Sequence, residues 1–143
     1  MLQRVMEIPG AVSVSLADGA SGLLIAAAGA HPTVDGHADA ALTTDILRSI
    51  SSCPALSGPA PDDPTEIIVC RPGAYHLIHP IDGDYAARLF LHAVFDERIG
   101  NLGLSRHRIR QLVAETMPAS SGPSGTTTSP TEANPHARHA RPD

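Results

Sequence analysis

Between Arg88 and Phe95 both alternating sets of side chains are largely apolar, with Leu89, Leu91, Ala93 and Phe95 on one side and Phe90 and Val94 on the other. A strand with two apolar sides cannot border water on either face, so the sheet that holds it is covered from above and below. This excludes an open one-sided sheet and a purely helical fold. The rest of the chain must supply both further strands and at least two covering layers.

Leu2, Val5 and Met6 fall at helical spacing, and Pro9-Gly10 stops the pattern after Ile8, which predicts a short first helix. Val12, Val14 and Leu16 alternate with small or polar residues. Asp18 through Gly22 then supplies turn chemistry before the apolar run Leu23 to Ala28, which makes a β-hairpin. From about Val34 to Ser52 there is no proline, and Val34, Ala38, Leu42, Ile46 and Ile50 recur every four residues with Ala41 and Leu47 beside them. At helical geometry this series sweeps an apolar arc of roughly 160°, wider than one packing stripe needs. Such a helix has two partners, a sheet below it and something else beside it.

Cys53-Pro54 breaks that helix, and Ser57 to Pro64 reads as an exposed loop. Glu66 to Cys70 is a short apolar strand that Arg71-Pro72-Gly73 turns into Tyr75 to His79. A turn around Gly83 then leads to the two-sided strand. Leu102, Ile109, Leu112, Val113 and Met117 share one face of a last helix, which Pro118 ends. The predicted order is α-β-β-α-β-β-β-α, an α+β fold whose sheet is covered on both sides.

From Pro118 to Asp143 there is no Val, Ile, Leu, Met, Phe or Tyr. Burial cannot offset the ordering entropy of such a stretch, so residues 1–117 are expected to form one domain and residues 118–143 a disordered Ser/Thr/Pro/Gly-rich tail. A chain of 143 residues with 42% hydrophobic residues supports one such domain, and its 3% aromatic content makes the core aliphatic.

Charge and motifs narrow the function. The net charge of −5 argues against nucleic acid, which requires clustered cations. All positive side chains are Arg, so a phosphate-binding loop ending in Gly-Lys is excluded and the chain is not a P-loop hydrolase. Gly-x-Ser-x-Gly and His-Glu-x-x-His are absent, and no nucleophile has an adjacent base. Catalytic, cofactor and metal residues are accordingly expected to be none. Cys53 and Cys70 match no metal motif and cannot form a disulfide framework. His76 and His92 would share a face across the hairpin around Gly83, but two histidines make a poor metal site and read as half-buried or rim residues. Asp62-Asp63 and the Asp82-Gly83-Asp84 triplet are loop and turn chemistry, and His136 and His139 belong to the tail. Leu2 to Glu7 lacks the apolar segment of a secretory signal, and Leu23 to Ala28 is far shorter than the ~20 residues of a membrane span, so a soluble cytoplasmic chain without membrane partners is expected.

The element order comes with particular punctuation: Ile8-Pro9-Gly10-Ala11-Val12, Asp18 to Gly22 before Leu23, Gly73-Ala74-Tyr75-His76-Leu77, and Gly100-Asn101-Leu102-Gly103-Leu104 followed by Arg106-His107-Arg108-Ile109-Arg110. Over residues 1–117 this resembles the roadblock/dynein light chain family, above all its stand-alone bacterial, actinobacterial-like members. The resemblance implies a five-stranded antiparallel sheet sandwiched by helices, with the second helix on one face and the first and last on the other. It also implies a homodimer joined through the second helix and third strand, whose interface would use Ala38, Leu42, Ile46, Ile67 and Val69. Functionally it implies a non-catalytic scaffold or regulatory module for a signalling partner such as a small Ras-like GTPase. Arg106 and Arg110, four residues apart and aligned on the last helix, are the candidate partner contacts. A sensory module of profilin-like or sensor-domain shape that binds a small molecule is the alternative, and it requires a pocket with converging polar groups.

Overall fold

The computed structural model describes residues 1–30, 35–57, 64–81 and 88–116. Its elements are α1 (Leu2–Met6), β1 (Ala11–Asp18), β2 (Leu24–Gly29), α2 (Gly36–Ser51), α3 (Pro54–Ser57), β3 (Ile67–Arg71), β4 (Ala74–Ile81), β5 (Leu89–Asp96) and α4 (Leu102–Thr116). The predicted order and fold class stand, with one addition. Pro54 opens the single turn α3, where its missing N–H costs nothing, and Leu56 N–H donates to the Cys53 carbonyl at 3.0 Å. The helix α1 stops at Met6, because Ile8 N–H already bonds the Val5 carbonyl in a tighter turn. The loop around Asp62-Asp63, the Asp82-Gly83-Asp84 turn, and Val34, Met117 and the tail lie outside the described residues.

All five strands form one antiparallel sheet in the order β2-β1-β5-β4-β3. The two-sided strand β5 sits at its centre, as its composition requires. One face carries the main core: Val14 of β1, Leu91, Ala93 and Phe95 of β5, and Tyr75 and Leu77 of β4, covered by Val5 and Ile8 from the N-terminal segment and Ile109 and Leu112 from α4. Tyr75 stacks on Phe95 with ring centroids 5.1 Å apart, and its hydroxyl shares a 3.0 Å hydrogen bond with the buried Ser105 of α4. The other face carries a small cluster of Ala17, Ala40, Ile78 and Phe90, bordered by Leu24, Leu47 and Ile67.

The turn glycines have a spatial reason. Gly10 has φ +86°, and a Cβ there would lie 2.5 Å from the Cα and N of Gly100, so the α1–β1 turn and the β5–α4 turn touch backbone to backbone. Asp96 N–H donates to the Gly10 carbonyl and Gly100 N–H to the Asp96 carbonyl, each at 2.8 Å. In the β1–β2 turn the Ser21 hydroxyl, and then the Ala20 N–H, hold the Asp18 carboxyl below its ordinary range.

Candidate functional site

The helix α2 starts on Asp35, whose side chain accepts from His37 N–H at 3.0 Å, and its backbone runs closest to β1 and β2. The residues it buries are Ala40, Thr43 and Thr44, with Leu47 half-buried. Thr44 can face the sheet because its hydroxyl donates to the Ala40 carbonyl of its own helix at 2.8 Å, which leaves its methyl for packing. Of the apolar series read from the sequence, Ala38, Ala41, Leu42 and Ile46 are exposed, and Leu47 borders the cluster on the sheet. Leu42 is 64% exposed and Ile46 46% exposed, on the flank that the wide arc predicted to have a second partner.

At the end of the sheet β3 is an edge strand, paired on one side with β4 and open on the other. It too exposes apolar side chains, Ile68 and Val69, whereas Ile67 is half-buried against the small cluster. Leu42, Ile46 and Val69 thus lie at the surface with Ala38. An open edge strand and an uncovered apolar helix flank are each surfaces that soluble proteins normally cover.

Beneath α2 runs a polar chain. His76 of β4 and His92 of β5 stack at 5.3 Å on the face towards α2, with His76 Nδ1 and His92 Nε2 3.0 Å apart. His92 Nδ1 lies 2.9 Å from Asp39 Oδ2 of α2. Because a carboxylate only accepts, Nδ1 of His92 carries the proton, and neutral His92 then accepts from His76 Nδ1–H. The sequence placed the two histidines on one face but missed Asp39, which nothing in its local pattern marks. Among the described residues no group of three or more His, Cys, Asp or Glu is arranged to hold a metal ion.

On the opposite face Arg106 and Arg110 converge on one carboxylate. Arg106 Nε donates to Glu66 Oε2 at 2.6 Å and Arg110 Nη2 to the same oxygen at 3.1 Å, while the Glu66 side chain is 6% exposed. Their alignment was legible in the sequence; their shared partner, just before β3, was not. Asp96 is held below the ordinary carboxylate range chiefly by its hydrogen bonds from Arg98, which caps the β5–α4 turn.

No protein-family model and no curated protein sequence matches the chain. Solved structures do. MglB of Myxococcus xanthus superposes with a TM-score of 0.67 at 25% identity, over 79% of this chain and 85% of that one. The roadblock/LC7 domain from Streptomyces avermitilis superposes at 0.64 and 17% identity, over 81% and 90%. The chain has the roadblock/LC7 fold. Another structure, described as MglB with a tetrameric arrangement, matches this chain at 0.65 and 20% identity, over 80% of each. No described helix is long and apolar enough to cross a membrane.

Proposed function

We propose that this roadblock/LC7 chain is a non-catalytic, homodimeric regulatory module of the cytoplasm that engages a signalling partner, a small Ras-like GTPase. The observation that carries the reading is the uncovered apolar flank of α2, Leu42 and Ile46, on the same chain as the open apolar edge β3. A second copy related by a two-fold axis covers both at once: β3 pairs with its counterpart and extends the sheet, while Ala38, Leu42, Ile46, Ile67 and Val69 meet the same residues of the copy. The tetrameric arrangement of an MglB neighbour supports self-association as a habit of this fold.

The proposed dimer buries at least ~1,000 Å². Leu42→Asp or Ile46→Asp shifts it to monomer or aggregate in sedimentation, because an unpaired charge in an apolar interface costs several kcal/mol. A wild-type chain that sediments as a monomer at micromolar concentration would overturn the dimer. The partner is tested by titration against the Ras-like GTPase encoded nearest to this chain's gene, loaded in turn with GDP and a non-hydrolysable GTP analogue. Binding depends on the nucleotide, since the γ-phosphate orders the switch segments that such regulators contact. Absence of binding in both states, with a tight small-molecule ligand found instead, would favour a sensory module. Arg106 and Arg110 are the secondary proposed contacts. Reversing their charge would unseat Glu66, so their part is read from the single changes Arg106→Gln and Arg110→Gln, as a weaker salt dependence of association.

A further inference from the structure

The helix α4 carries its charges in the order that helix stability disfavours. Arg106, Arg108 and Arg110 lie towards its start and Glu115 at its end, with no acidic residue in the first turn and no basic residue in the last. The N-terminal end of a helix dipole is already positive, so cations there add to its potential instead of offsetting it. The start itself is served by a neutral side chain, Asn101, whose Oδ1 accepts from Leu104 N–H at 2.9 Å. A charge order that brings no stability to its own helix points outward, to something the helix meets.

The three guanidiniums are not equivalent. Arg106 and Arg110 share Glu66 Oε2 and so help to fix the segment before β3. Arg108, two residues from each and about 200° round the helix from them, is exposed and makes no ion pair or side-chain hydrogen bond among the described residues. Three guanidiniums against one carboxylate leave this segment positive on a chain whose net charge is −5. The far end of α4 is balanced by contrast, since Arg4 pairs with Glu115 at 2.9 Å. Leu104, one turn before Arg108 on the same side, is 42% exposed, and Ile99, just ahead of the helix, is 67% exposed. Gln111, one turn beyond Arg108, is exposed as well.

This pattern selects among anionic partners. An anionic membrane calls for about four to eight clustered cations, and a nucleic acid for a broad basic face. Both would be repelled by the rest of an acidic chain. At physiological salt the distant carboxylates are screened beyond about 8 Å, so a short acidic segment seated over Arg108 meets the local excess of positive charge and not the net charge. The exposed Leu104 and Ile99 beside it suit a stretch of polypeptide, in which an apolar side chain can accompany carboxylates.

We propose that the outward side of α4 from Leu104 to Gln111 is a docking surface for an acidic protein segment. Arg108 is its principal cation, because it can turn its full charge on a ligand without releasing an internal partner. Arg106 and Arg110 add potential while they remain bonded to Glu66, and Leu104 supplies the apolar contact. The surface lies on the face of the sheet opposite Leu42 and Ile46 of α2, so it depends on neither the dimer nor the GTPase.

The test is titration of the full chain with fluorescein-labelled hexaglutamate, and with the same peptide carrying a central leucine, followed by anisotropy and by backbone amide shifts at low and physiological salt. Binding that weakens with salt is expected, with the largest shifts across residues 103–111. Arg108→Gln should weaken it by about two- to fivefold, the scale of an exposed charge contact, and lower its salt dependence. Arg71→Gln, which removes an exposed arginine at the end of β3, should leave it unchanged. The leucine peptide should bind more tightly than hexaglutamate to the wild type, and no more tightly to Leu104→Ser. The wild-type shifts locate the site whether or not a variant folds. No binding at low salt, shifts spread evenly over the chain, or equal effects of Arg108→Gln and Arg71→Gln would overturn the surface. Capture of the chain by phosphatidylserine vesicles without binding of either peptide would overturn it too, and would assign these cations to a membrane.

Discussion

The two faces of the sheet are built on different principles. The face under α1 and α4 is a dense core in which Phe95, Leu77, Leu91, Val5 and Ile109 are fully buried. The face under α2 has an apolar cluster of only four buried residues among those described, two buried threonines and a polar chain. Apolar contact grows with area and has no direction, so the first face secures the fold. Hydrogen bonds depend on direction, so the second face is held by geometry more than by area. The side that leaves Leu42 and Ile46 exposed is thus the side that is less firmly packed.

Phe95→Ala should separate the faces most strongly. It removes the ring that stacks on Tyr75 and should cost about 3–5 kcal/mol in denaturant unfolding, enough to threaten the whole domain. A cost below about 1 kcal/mol would mean that this face is not the dominant core.

Glu66→Gln comes next. It leaves Arg106 and Arg110 facing a neutral amide, and because both guanidiniums are partly in water the loss is about 1–2 kcal/mol, less than for a fully buried pair. Raised exchange at the start of β3, with the rest of the sheet unchanged, is the expected pattern; uniform destabilisation would show that the clamp serves the core rather than the edge.

The smallest effect belongs to the C-terminal segment. Cutting the chain after Met117 should leave the melting temperature within about a degree or two, because the removed residues include no large apolar side chain. A larger drop, with α2 losing protection, would show that the segment covers the lighter face and that the contrast between faces is overstated.

The fold was legible because its signals are local. The two apolar sides of Leu89 to Phe95, the Asp18 turn and the Pro9-Gly10 stop each specify their own neighbourhood, and the strand order follows from few alternatives. The exposure of Leu42 and Ile46 was legible in outline, since the α2 arc is wider than one packing stripe needs. The inward side of α2 was missed because hydropathy counts threonine as polar, whereas Thr44 satisfies its hydroxyl within the helix. Asp39 and Glu66 were missed for another reason. Their partners lie 53 and, for Arg106, 40 residues away in sequence, and no spacing rule reaches that far.

The backbone contact between Gly10 and Gly100 also bears on the order in which the molecule is made. The last strand is the central one and lies beside the first, with Ala11 opposite Phe95 and Asp18 opposite Leu89. While the chain is being synthesised, β1 and β2 can form only a two-stranded hairpin, which is marginal in water by itself. The sheet closes when β5 arrives between β1 and β4, so folding waits for nearly the whole domain to be translated. Until then the apolar side chains of β1 and β4 have no common strand to cover them, and this interval is when a nascent chain of this topology most depends on chaperones.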